Sequence, residues 1–162
     1  MWLSKALLIC TMTLAACGFT PAYAPGGSGV ALQNTVLAAE PRNKPAFDLV
    51  ERLEERLGPS DAPKYALAYM ISQSLASIGV TTANAITRYE LIGAVDWTLT
   101  DVATGAQLTA GRSENFTSYS ATGSTVASLS AREDASQRLM RILADQIVTQ
   151  LLATSDQWAT PK

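Results

Sequence analysis

The stretch TRYELIGAVDWTLTDVATG, residues 87–105, alternates too regularly for a helix and then breaks into a turn. Thr87, Tyr89, Leu91, Gly93, Val95, Trp97 and Leu99 fall on one side of an extended chain, and Arg88, Glu90, Asp96, Thr98 and Thr100 fall on the other. Successive side chains of a strand point to opposite faces, so the odd face is expected to be buried and the even face largely wet. That is the pattern of an antiparallel sheet covered on one side. Asp101 to Gly105 ends the strand in a tight turn, with glycine where a positive φ is needed. Gln107 to about Tyr119 returns as the partner strand. Along it Leu108, Ala110 and Phe116 share a parity with Arg112 and Glu114. Two explanations stay open: a bulge near Gly111 that shifts the register, or a far half that leaves the core.

Upstream, Tyr65, Leu67, Tyr69 and Ile71 alternate with small or flexible residues, so Lys64 to about Ser74 reads as a strand closed by Gly79. The competing reading is a helix continuing through Ala76, because Ala, Leu and Met favour helices. Ala46, Val50, Leu53 and Leu57 recur at helical spacing opposite Asp48, Glu51, Glu54 and Glu55, and Gly58-Pro59 stops them. Val30 to Ala39 is loosely apolar and is expected to be a first strand before the turn Pro41 to Pro45. Downstream, Ser118 to Thr125 is a loop rich in Ser, Thr and Gly. Val126 to Leu152 then forms a long helix with Ala135, Leu139, Ile142, Leu143 and Ile147 towards the core. Gln157 to Lys162 reads as a frayed end. The order β-α-β-β-β-α predicts an α+β two-layer sandwich: a mostly antiparallel four-stranded sheet with two helices on one face.

The N-terminus carries a different signal. Lys5 precedes the apolar segment Ala6 to Leu14, and the small residues Ala15 and Ala16 then precede Cys17. Such a run is too short to span a bilayer, and this order is that of a bacterial lipoprotein signal. Residues 1–16 are therefore expected to be cleaved, and Cys17 to carry the lipid that anchors the chain to a membrane. Several acyl chains hold durably where one holds marginally. Gly18, rather than aspartate, follows the cysteine, so the outer membrane is the expected destination. Residues 17–29, glycine- and proline-rich, read as a tether, residues 30–153 as the folded domain and 154–162 as a tail.

Composition narrows the chemistry. Removing residues 1–16 leaves 146, enough for one domain with a core. Cys10 leaves with the signal and Cys17 is acylated, so no disulfide is expected. The chain has no histidine, which removes the commonest general base and zinc ligand and every Ser-His-Asp arrangement. No enzyme activity, metal or cofactor is expected. The formal charge of −2 gives no reason to expect a nucleic acid partner. The carboxylate pairs Glu54-Glu55 and Glu133-Asp134 read as ion-paired helix faces. Gly26 to Gly29 lacks a phosphate-loop continuation, and Lys64 lacks a preceding SxxK pattern.

Any acidic lipid would have to be gripped by arginines. Arg112 lies on the return strand, and Arg138 and Arg141 suit helical pairing with Asp134 and Asp145. Arg88, at the start of the clearest strand, and Arg132, just after the loop into the last helix, are the better candidates for a ligand.

LAACGFTPAY at 14–23, a helix ending in ERLG, the strand Tyr89 to Leu99, the DVATG hairpin, and SYSA leading to SAREDASQRLMRILADQIVTQLL together resemble the LPS-assembly lipoprotein LptE family of alphaproteobacterial type. The resemblance implies a lipoprotein seated inside the LptD outer-membrane barrel. There it would support assembly of the barrel, plug it and bind lipopolysaccharide. It places basic ligand contacts near the start of the middle strand and the start of the last helix. Arg132 matches the latter, and Arg88 lies near the former without aligning cleanly. The chain's tether and shorter C-terminal tail depart from the enteric pattern. An auxiliary outer-membrane lipoprotein of another lipid or solute transporter would share the anchor and fold class, and a periplasmic enzyme using carboxylates is the remaining class.

Overall fold

The computed structural model describes residues 27–80, 82, 86–121 and 124–159, so the expected signal, Cys17 and most of the tether lie outside the described residues. The elements are α1 (Ser28–Leu32), β1 (Val36–Ala38), α2 (Lys44–Leu57), β2 (Tyr65–Val80), β3 (Ile86–Asp101), β4 (Gln107–Ser120) and α3 (Thr125–Thr154), followed by a 3-10 turn over Ser155–Gln157. The strands lie side by side in the order β1-β2-β3-β4, with β1 parallel to β2 and the other pairs antiparallel. The fold is α+β, with α2 and α3 sharing one core with the odd face of the sheet.

β3 is the centre of that core. Leu91, Val95, Trp97 and Leu99 are buried against Leu49, Leu53 and Leu57 of α2 and Leu139, Leu143 and Ile147 of α3. Two glycines set how closely the layers approach. A Cβ on Gly93 would come within 2.8 Å of the Leu139 Cδ2, so α3 rides directly on the sheet there. A Cβ on Gly111 would meet the Trp97 ring at 2.5 Å, because that ring lies across the strand beside it. In the hairpin Gly105 has φ 71°, and Asp101 accepts from the Thr104 N–H at 2.8 Å, which holds its carboxyl below the usual range.

Several local expectations are corrected. Val30 to Ala39 is not one strand. Leu32 is buried in the helix α1, Asn34 turns the chain at φ 56°, and only Val36–Ala38 pairs with β2. The Thr35 hydroxyl closes α1 by donating to the Ala31 and Leu32 carbonyls, and Ser28 and Gly29, expected in the tether, already belong to that helix. β2 is the expected strand but runs past Ser74 to Val80, because β3 pairs with it along nearly its whole length.

In β4 the register passes Gly111 without a bulge, and the irregularity sits at Leu99/Thr100 instead. From Ala110 onward the even residues face away from the helices, leaving Phe116 exposed. Ser113 and Thr117 are buried and hydrogen-bond to Gln150 and Ala135 of α3. Ile142 is half-exposed rather than core. The tail is not frayed through Trp158, whose ring meets Tyr65 edge-on at 5.4 Å and whose indole N–H donates to Thr154.

Candidate functional site

The end of β2, the start of β3, the end of β4 and the start of α3 meet at one end of the sheet, since Gly79 and Ser120 both pair with Arg88 and α3 follows four residues after β4. Ser124 starts α3 by accepting from the Ala127 N–H, as an N-cap serine does. The first turns of that helix carry Val126 and Leu129, 74% and 56% exposed. Leu75, Ile78 and Ile86 are exposed on the adjoining strands. Beneath them Tyr89 and Tyr119 stack at 5.5 Å across β3 and β4. Fully burying a side chain of Leu or Val size is worth roughly 1.5–3 kcal/mol, so each of these five partly exposed side chains forgoes a fraction of that amount.

Arg88 and Arg132 both belong to this end, but the structure does not bring them together. Arg88 projects from the helix-free face of β3, whereas Arg132 sits on α3, over the other face, and lines a groove of about 740 Å³. Lys44, Gln73, Leu129, Glu133 and Asp134 also line that groove, and the buried Asp48 within it is paired with Lys44. Among the described residues neither Arg88 nor Arg132 has a carboxylate partner within 4.0 Å.

The other arginines of the strands and long helices behave differently. Arg138 pairs with Asp134 at 2.9 Å as its spacing predicts. Arg141 reaches Glu55 on α2 at 3.1 Å instead of its own-helix Asp145, because Asp145 is held by Arg52 and Arg56, each at 3.0 Å. Arg52 grips both oxygens of Asp145 and also Glu55, which raises its own pKa. The same Arg52 contact, helped by Arg141, holds the Glu55 carboxyl below its ordinary 4.5. Glu55, named as one of a carboxylate pair, is thus part of an interhelical clamp. Arg112 pairs with Asp96 at 2.7 Å on the outer sheet face.

The arginines could be read from the sequence as candidates, but the apolar rim could not be assembled from it. Its signal was there: Val126 and Leu129 lie outside the stripe begun by Ala135, yet their convergence with Leu75, Ile78 and Ile86 requires the topology. Among the described residues no group of three His, Cys, Asp or Glu is placed to hold a metal, and no helix is long and apolar enough to cross a membrane.

The family model LptE, Lipopolysaccharide-assembly, matches residues 34–151. No curated protein matches the chain. Among solved structures, a lipoprotein from Caulobacter crescentus is similar at 23% identity and TM-score 0.67, over 80% of this chain and 96% of that one. Rare lipoprotein B from Shewanella oneidensis is similar at 15% identity and TM-score 0.59, over 76% and 96%. A minor lipoprotein from Acinetobacter baumannii is similar at 23% identity and TM-score 0.54, over 76% and 94%. At these identities the structures share the fold.

Proposed function

The chain belongs to the LptE lipopolysaccharide-assembly family, and on that premise we propose that it is a non-catalytic outer-membrane lipoprotein, anchored through Cys17, that plugs and supports assembly of the LptD barrel and binds lipopolysaccharide in transit. The observation that carries this reading is the distal rim. Among the described residues, exposed apolar side chains of α3, β2 and β3 and two arginines without carboxylate partners gather at one end of the domain. Lipopolysaccharide offers acyl chains to the first and phosphates to the second, through charge-assisted hydrogen bonds. Because Arg88 and Arg132 lie on opposite faces, they would flank a bound headgroup rather than share one pocket, and their effects on affinity should multiply. The helix-free sheet face carries small polar residues such as Ser72, Ser74 and Thr98 beside the exposed Met70 and Phe116, and its polar part suits the polar lumen of a large barrel.

Affinity purification of the full chain from membranes in mild detergent tests the partner. Stoichiometric recovery of a large heat-modifiable barrel supports the plug. Recovery of a transporter subunit in its place would assign the chain to the auxiliary class. Cys17→Ala should release the mature chain from the membrane fraction.

A further inference from the structure

For most of its length β2 is an edge of the sheet. Its neighbour β1 pairs only with Tyr65, Ala66 and Leu67, while β2 continues to Val80. Bonds at the paired end fix the phase of the backbone. Tyr65 donates its N–H to Thr35 and the Leu67 carbonyl accepts from Ala39, so the odd residues turn their backbone groups away from β3. The Lys64 carbonyl, in the opposite phase, accepts from Val102 just after β3. Tyr69, Ile71, Gln73, Leu75 and Ser77 therefore point their N–H and C=O groups outward, and among the described residues no strand pairs with them on that side. At about 3.3 Å per residue this leaves roughly 26 Å of open ladder.

Natural sheets usually blunt such an edge with charge, proline or brevity. Here the 16 residues YALAYMISQSLASIGV hold no charged residue and no proline, and only the irregularity between Ser77 and Val80 disturbs the far end. Two grooves flank the ladder on the helix side. One of about 430 Å³ is walled by Tyr69 and Ile71 with Arg42 and Asn43, and the next, of about 740 Å³, by Gln73 with Leu129 and Ser136. Side chains of an added strand point alternately to the two faces, so successive ones on the helix side reach these grooves in turn, and those on the other side lie beside the exposed Met70. Backbone bonds along an edge, with pockets for alternate side chains, are how a sheet recognises an extended segment.

A neutral ladder selects a neutral occupant, because a charge laid along it would lose water without gaining a partner. The helix-free face that borders this edge, with Ser72 and Ser74 on it, is the face that the proposed function turns towards the barrel lumen. The barrel protein is therefore the polypeptide within reach. Its wall strands are excluded, since every strand of a closed barrel is already paired on both sides. We infer that β2 is extended by an uncharged stretch of about nine residues from a loop or terminus of the barrel partner, hydrogen-bonded along Tyr69 to Ser77. This rests on the proposed function and names the contact by which that partner holds the chain.

Hydrogen exchange read by mass spectrometry over residues 68–78 tests it, comparing the isolated mature chain with the complex recovered from membranes in mild detergent. The outward amides of Tyr69, Ile71, Gln73, Leu75 and Ser77 should exchange about tenfold or more slowly in the complex. Gln73→Pro removes one outward donor and sets a ring against the incoming strand, while an edge whose N–H faces solvent tolerates proline. It should cut recovery of the barrel about tenfold and leave the circular dichroism of the chain unchanged. A barrel recovered with those amides exchanging as fast as in the isolated chain overturns the inference and leaves the proposed function standing. So does undiminished recovery by a folded Gln73→Pro chain. Protection that arises in the concentrated chain without the barrel would make a second copy the occupant and also overturn it. Failure of the unaltered chain to recover any barrel overturns both readings.

Discussion

The two ends of the sheet are built on opposite principles. At the end that holds β1, the 101–107 hairpin and the C-terminus, Tyr65 meets Trp158, Asn34 donates to the Leu57 carbonyl at 2.7 Å, and the Arg52–Asp145–Glu55–Arg141 network ties the flanking helices together. At the other end apolar side chains stand in solvent, and among the described residues Arg88 and Arg132 have no carboxylate within 4.0 Å. One end is tied together by contacts between its own elements, although Leu37 and Val102 stay exposed there, and the other is the end to which the proposed function assigns the ligand. The contrast separates residues that hold the fold from residues that the fold holds out.

The largest expected effect is on the core between these ends. Leu143→Ala, which empties a fully buried position, should cost about 3 kcal/mol in urea unfolding, whereas Leu129→Ala on the same helix should stay within about 0.5 kcal/mol. Comparable losses at both positions would erase the distinction. Next comes the clamp. Arg52→Ala should cost about 1 kcal/mol, since the network is only partly exposed and Arg52 is bidentate.

The clamp also predicts a pH signature. Glu55 has a lower pKa folded than unfolded, so its contribution is present above about pH 4.5 and is lost as pH falls through the folded value. Stability of the unaltered chain should drop across that window, and Arg52→Ala should flatten the part of the drop due to Glu55. The smallest expected change in stability belongs to R88E combined with R132E. Reversing two exposed charges without partners should leave the urea midpoint nearly unmoved.

Much of this architecture was legible in the residues because burial on one face leaves a period. β3 and α2 announce themselves through Leu91 to Leu99 and through Val50, Leu53 and Leu57. The strand Tyr65–Val80 could be told from a helix by its inward pairs, but not its end, because Leu75 and Ile78 belong to the exposed rim and break the polar and apolar contrast. β4 misled for the opposite reason. Two of its three buried residues, Ser113 and Thr117, are polar and satisfied by α3, while its conspicuous Phe116 faces water.

Leu32 and Val36 looked like one apolar segment, although Asn34 divides them between two elements. The arginines could be picked out by position, but which of them lack a partner depends on contacts between elements distant in sequence, as Arg141 turning to Glu55 rather than Asp145 shows. A site made of what the fold leaves unsatisfied is visible only after the fold has satisfied the rest.

The direct test is lipopolysaccharide affinity for the unaltered chain and for R88E/R132E at matched stability. The account predicts a loss of about tenfold or more, because two charge-assisted contacts to phosphate are replaced by repulsion while the fold stands. Unchanged affinity in a fully folded variant would contradict it, and would move the ligand away from the distal rim.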